Sequence, residues 1–190
     1  MNRLILALVC AGFIHTAHAD TAALPDWMRY YQMAAERGDP EAQMKMGWAY
    51  DKGDGVAKDE KKAVDWYRRA ALQNEPTAQY NLALLLIEGR GEIVKDAATG
   101  VDFLTRAASQ NLTLAQTYLA SLYEQGREVA KNDTEAAKWL IRAANNGDAA
   151  AMNNLALKYA KGEGVARDPA QAQKLLTSAA LQGNALALAN

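Results

Sequence analysis

The sequence predicts an all-α protein, an α/α solenoid (superhelix) of about four and a half helix-turn-helix repeats, and three observations predict it. Ala-Ala pairs stand at Ala34-Ala35, Ala70-Ala71, Ala107-Ala108, Ala143-Ala144 and Ala179-Ala180, spaced by 36, 37, 36 and 36 residues. A Gly or Asn follows each pair (Gly38, Asn74, Asn111, Gly147, Gly183), and another Ala comes four residues later (Ala42, Ala78, Ala115, Ala151, Ala187). Around the pairs, apolar residues recur at i, i+3, i+4, i+7 and i+8, the stripe of an amphipathic helix. A constant period in this range marks stacked units, none of which buries its apolar face alone. Stacks of this kind mostly present binding surfaces.

The N-terminal residues stand apart from the repeat. Arg3 precedes an apolar run from Leu4 to Ile14, and Ala17-His18-Ala19 is an A-x-A cleavage site. The run is shorter than the roughly 20 residues that span a bilayer, so residues 1–19 read as a signal peptide cut after Ala19. Cys10 follows Val9 rather than a small residue, which argues against a lipid anchor. The mature chain, 20–190, is expected in the periplasm of a Gram-negative bacterium or secreted. The chain's two histidines (His15, His18) and its single cysteine (Cys10) all fall in the signal peptide. A mature chain without them has no disulfide, thiolate, imidazole base or His/Cys metal site. The net charge is −1, with no long run of one sign. That excludes the footprint of a nucleic-acid binder and a polybasic membrane patch, and no membrane insertion is expected.

The units run over about 27–62, 63–99, 100–135 and 136–171, with a half unit at 172–190. In the second, Ala63, Trp66, Tyr67, Ala70 and Ala71 form the stripe, while Asp65, Arg68 and Arg69 interrupt it and should face outward. Asn74 takes the helix-end position that tolerates left-handed backbone, and Pro76 suits the first turn of a second helix. Ala78, Leu82, Leu85 and Leu86 share a face of that helix, Gly89 and Gly91 end it, and Asp96 is the next N-cap. The large first-helix position reads Tyr30, Trp66, Phe103, Trp139 and Leu175, and its aromatic members are expected in the core. The next position reads Tyr31, Tyr67, Leu104, Leu140 and Leu176. Met46, Leu82, Leu119 and Leu155 are equivalent in the second helices, each followed by a small residue (Gly47, Ala83, Ala120, Ala156), so helix axes should cross closely there.

These residues resemble the Sel1-like repeat, a relative of the tetratricopeptide repeat. The resemblance rests on A-x-x-W-Y-R-R-A-A (Ala63 to Ala71), A-E-R-G-D-P-E-A-Q (Ala35 to Gln43), G-D-G-V-A-K-D (Gly53 to Asp59) and G-E-G-V-A-R-D (Gly162 to Asp168). It covers almost the whole mature chain and implies a superhelix whose first helices line the concave face. Departures are local. The second unit carries one extra residue within Gly89–Val94, so that loop should bulge. Asn111 replaces Gly at an inter-helix turn. Glu128 replaces the second loop glycine of the third unit, so that loop is expected to take another path. Trp27 stands where other units have Ala or Gly, as a terminal cap would.

Arg69, Arg106 and Arg142 are equivalent and should form a ladder with Arg68 beside its foot. Such a row either supports the stack or receives carboxylates or phosphates of a partner. Trp48 is either partly buried against the first unit or an anchor for a protein or a sugar ring. The slips at the 37-residue step and at Glu128 are either drift or a face that a partner uses. The acidic loops at Asp51–Gly55 and Lys161–Gly164 lack a calcium loop's run of ligands. Asn111-Leu112-Thr113 and Asn132-Asp133-Thr134 match a glycosylation sequon, relevant only to a eukaryotic secreted protein. Ser109, Ser121 and Ser178 sit in neither S-x-x-K nor G-x-S-x-G. No catalytic residue, cofactor or metal is expected, and the β-lactamase-like activity described for cysteine-rich relatives is not carried over. The expected function is a non-catalytic protein-binding adaptor, regulator or inhibitor with an unidentified protein partner. The resemblance suggests envelope regulation, host interaction or immunity to a secreted effector. The alternative is a peptidoglycan or carbohydrate binder.

Overall fold

Nine helices, and no strand, make up the described residues of the computed structural model, 24–90 and 92–182. They are α1 (Asp26–Glu36), α2 (Pro40–Lys52), α3 (Glu60–Leu72), α4 (Pro76–Glu88), α5 (Ala97–Ser109), α6 (Thr113–Gln125), α7 (Asp133–Asn145), α8 (Ala149–Lys161) and α9 (Pro169–Leu181). Residues 1–23, which hold the predicted signal peptide with its cysteine and histidines, Gly91, and residues 183–190, which hold Gly183, Ala187 and the predicted half second helix, lie outside the described residues.

Local chemistry sets the helix ends. The side chains of Asp39, Asp59, Asp96, Asn132, Asp148 and Asp168 each accept from a backbone N–H of the following first turn, satisfying donors that the helix cannot satisfy itself. Asp96 is thus the expected cap, bonding Thr99 at 3.1 Å. At the other end α2, α4, α6 and α8 stop at Gly53, Gly89, Gly126 and Gly162, all left-handed with φ between 62° and 81°. Asn74 and Asn111 hold the same region at φ 65° in the inter-helix turns, as read from their type.

Each helix packs mainly on its neighbours in the chain, the one-dimensional stacking of a solenoid. The Ala-Ala pairs of the inner units are buried, whereas Ala34 and Ala180 in the outermost helices are half-buried. The small second-helix residues lie at close crossings with the next unit's first helix. A Cβ on Gly47 would meet the Tyr67 ring at 2.5 Å, and one on Gly100 would meet the Ala83 carbonyl oxygen at 3.1 Å.

Polar pins join the units. Gln43, Gln79 and Gln116 are buried, and each donates its Nε2 to the carbonyl of the second alanine of a pair: Ala35 (3.0 Å), Ala71 (3.1 Å) and Ala108 (3.0 Å). Each Oε1 accepts from an amide of the following unit, Gln73 (2.8 Å), Gln110 (2.8 Å) or Asn146 (3.0 Å). Gln73 and Asn146 also hydrogen-bond the preceding inter-helix turn, at Gly38 and Asn111. The series ends at Met152, which faces Gln182 through sulfur at 3.9 Å. Lys158 is a second departure. It is buried where the equivalent residues are Ala49, Leu85 and Leu122, and its Nζ pairs with Glu124 at 2.6 Å.

Two sequence expectations change. The aromatic stripe is not uniformly core: Phe103 and Trp139 are buried and Trp66 half-buried, but Tyr30 is 69% exposed. The Glu128 loop does not take another path. Glu128 sits at φ 61°, the conformation that Gly55 (φ 75°) and Gly164 (φ 72°) hold in other units. A single left-handed residue costs roughly 1–2 kcal/mol, and the closed loop tolerates it. The extra residue of the second unit, where the sequence predicts a bulge, is accommodated locally and leaves the loop's closure in place. Asp96 N–H reaches the Leu86 carbonyl across ten residues, as Asp59 reaches Tyr50 across nine, and an Ile93-to-Arg90 turn takes up the difference.

Gln79→Met, which copies the residue of the fourth unit, is expected to lower stability by about 1–2 kcal/mol through the lost pin. Ala83→Leu should cost about 1–3 kcal/mol by overpacking. At this chain length each kcal/mol moves Tm by about 2–4 °C in a thermal melt. An unchanged melt for either variant would refute its packing assignment.

Candidate functional site

The arginine row is built from its own helices. In each case the guanidinium lies over the aromatic ring one turn earlier: Arg69 over Trp66 (4.6 Å), Arg106 over Phe103 (5.5 Å) and Arg142 over Trp139 (4.8 Å). The i,i+3 spacing places the two side chains on one helix face, and a guanidinium is drawn to the face of an aromatic ring. All three arginines remain exposed. Stack support and an outward charge therefore coexist in the same residues. Arg106 also pairs with Asp102 at 2.7 Å. Among the described residues Arg69 and Arg142 have no carboxylate within ion-pair distance, and neither has Arg68, which is exposed beside the row.

The remaining predicted residues are not gathered with the row. Trp48 is 42% exposed, on the second helix α2 rather than on a first helix. Glu128 lies in the α6–α7 loop, where its carboxylate pairs with Lys95 at 2.7 Å and so ties that loop to the one before α5. Trp27 is half exposed in α1, edge-on to Tyr31 with ring centroids 6.3 Å apart and beside Gly55.

Two features escaped the sequence reading. The first is a polar cluster between the first two units. Buried Asp51 accepts from Arg90 at 3.2 Å. Nearby Tyr67 is wholly buried, and its hydroxyl has no hydrogen-bond partner. Burial first, and then the charge of Asp51, push the Tyr67 phenol far above its ordinary value, so it stays neutral. The signal was Asp51 standing where Ile87 stands in the next unit. The second feature is the first rung of the row. Met33 occupies the arginine position, so nothing of that kind covers Tyr30, and Met33 itself is 57% exposed. Tyr30, Met33, Ala34, Arg37, Gly38 and Asp39 line an open groove of about 520 Å³ there. A wider groove of about 610 Å³ at Lys58–Lys61 and Glu92 is lined by ions that pair with one another, Lys58 with Glu60 and Lys61 with Glu92.

Among the described residues no group of three or more His, Cys, Asp or Glu side chains is placed to hold a metal ion, and no helix is long and apolar enough to cross a membrane. Nine stacked helices among the described residues, with an exposed cationic row, define the class: an α-helical repeat solenoid. The family model described as the Sel1 repeat matches residues 28–39, 40–75, 76–112, 113–148 and 149–184, and the chain belongs to the Sel1 repeat family. The last four matched units start at the second helix of a pair, so that the match at 40–75, for example, spans the close crossing of Gly47 on Tyr67.

Solved structures agree. A protective antigen of uropathogenic Escherichia coli strains is 34% identical with TM-score 0.78, over 84% of this chain and 34% of that one. A Sel1 repeat protein from Oxalobacter formigenes is 34% identical with TM-score 0.79, over 85% and 47%. An immunity protein from Pseudomonas aeruginosa is 27% identical with TM-score 0.54, over 88% and 65%. The chain thus spans about a third to a half of the length of the first two. No curated protein matches it.

Glu128→Gly tests the strained loop. It relieves roughly 1–2 kcal/mol of left-handed strain and forfeits an exposed ion pair with Lys95 of at most about 1 kcal/mol. Tm is expected to rise slightly, and to rise further at high salt, where the wild-type pair is screened. A fall in Tm at high salt would overturn the strain assignment.

Proposed function

We propose that this chain is a non-catalytic protein-interaction module of the bacterial periplasm, acting as an adaptor or inhibitor that holds one protein partner on its solenoid face. The observation that carries the reading is the row of exposed guanidiniums on a rigid repeat. Arg69 and Arg142 are oriented by the rings beneath them, so less side-chain freedom is lost when they pair with a carboxylate. Family membership supports protein binding in general. The export signal at residues 1–19 supports the compartment. Likeness to an immunity protein favours inhibition of a toxic effector over host interaction as the biological use.

The test is affinity purification of the full-length protein from a periplasmic fraction, followed by mass spectrometry. One protein partner is expected at stoichiometric level. Its recovery should fall about tenfold in an Arg69→Ala/Arg142→Ala variant that melts within a few degrees of wild type, because each exposed pair contributes up to about 1 kcal/mol. If the protein instead sediments with purified sacculi, and Trp48→Ala abolishes this, the peptidoglycan reading replaces it.

A further inference from the structure

The repeat shows what normally covers the large first-helix ring, and the first unit lacks it. In α3, α5 and α7 an arginine one turn on lies across the ring. In α1 that position is Met33, and Tyr30 is the most exposed ring of the series. Because the units are equivalent, Met33, Arg69, Arg106 and Arg142 lie in one row. The row therefore has a direction: an apolar end followed by cationic rungs.

We propose that this row is a track for an extended acidic segment of a partner protein, with a large apolar side chain seated on Tyr30 and Met33 and carboxylates on Arg69 and Arg142. The inference rests on the protein-binding reading above and adds the chemistry and polarity of what is bound. Charge favours this occupant. Arg37 lines the Tyr30 groove and is without a carboxylate partner among the described residues, so a partner cation is disfavoured over the ring. The acids at that end are engaged: Gln32 bonds Glu36 at 2.9 Å, and Asp39 caps Ala42 at 2.7 Å. At the far end Arg142 borders a groove of about 330 Å³ shared with Ala137, Ile141 and Val165, which gives the segment an exit.

Spacing makes the track specific. Side-chain amides join the end of one first helix to the turn after the preceding one (Gln73 to Gly38, Asn146 to Asn111), and each rung lies one turn before such a contact. Successive rungs sit on first helices that pack mainly on the second helix between them, so they are separated by somewhat more than one helix-packing distance, about 10–12 Å. An extended chain covers that in about three residues, at roughly 3.3 Å each. Arg106 is held by Asp102, so the favoured segment carries its carboxylates about three and nine residues from the apolar anchor.

The experiment titrates the full exported protein with fluorescein-labelled Ser/Gly peptides that carry one Trp and two Glu at those spacings, with the Trp at either end. One direction is expected to bind. Replacing its Trp by Ser, or both Glu by Gln, should weaken binding about tenfold or more. Met33→Arg, which places on α1 the stack already present in three other helices, should keep the melting temperature and weaken the anchored peptide about tenfold. Arg69→Ala/Arg142→Ala should erase the preference for Glu over Gln. The proposal is overturned if neither peptide binds, if Met33→Arg and Tyr30→Ala leave binding unchanged, or if poly-glutamate or inorganic polyphosphate binds as tightly without an apolar anchor. It is also overturned if a co-purified protein partner binds Met33→Arg as well as wild type, a result that leaves the protein-binding reading standing.

Discussion

The buried glutamine in the first turn of α2, α4 and α6 is the constraint on which the rest of the stack depends. A first helix ends in carbonyls that its own ladder leaves open, and here those ends are enclosed by the next unit. Gln43, Gln79 and Gln116 supply a donor to each of them and an acceptor to the following unit's amide. A single pin is worth only about 0.5–1.5 kcal/mol net. Its larger effect is on register, since a one-residue slip between units would strand a buried amide in an apolar layer. Small residues then let the helices close to contact distance around it.

Given that register, equivalent side chains must align, and the arginine row is a consequence. Each arginine does two things with different atoms. Its guanidinium plane shields the ring below, which is part of why Phe103 and Trp139 are buried. In Arg69 and Arg142 the N–H groups face outward without a carboxylate partner among the described residues, while Arg106 shares its own with Asp102. The outward charge of the row is thus inherited from a packing arrangement, and the first unit, where the arginine is absent, becomes chemically distinct.

Irregularities in the repeat are absorbed where they occur. Glu128 adopts a glycine's backbone conformation and gains Lys95. The extra residue before α5 is folded into a turn closed by the same hydrogen bond as in other units. Lys158 in a leucine position is satisfied by Glu124, a buried charge that needs its partner rather than one that adds stability. A solenoid tolerates such changes because each unit answers only to its neighbours.

The helices, the Asp96 cap, the left-handed turn at Asn74, the glycines that end the second helices and the period were legible in the chain, because each depends on residues within a turn or two of one another. Arg68, Arg69, Arg106 and Arg142 could be named as exposed on the same ground. What only the tertiary structure decided is which side chains meet across units. The glutamine pins recur at the same period as the alanines, yet their partners lie 30 or 31 residues away, and no local pattern states that. Tyr30 shares its position with Trp66, Phe103 and Trp139, and its exposure goes with Met33 standing where they have an arginine and with α1 packing mainly on the single helix α2 among the described helices. Glu128 shows the converse. Its local preference argued for a different loop, and loop closure together with Lys95 overrode it, because a cost of one or two kcal/mol is small beside the contacts that hold the loop ends.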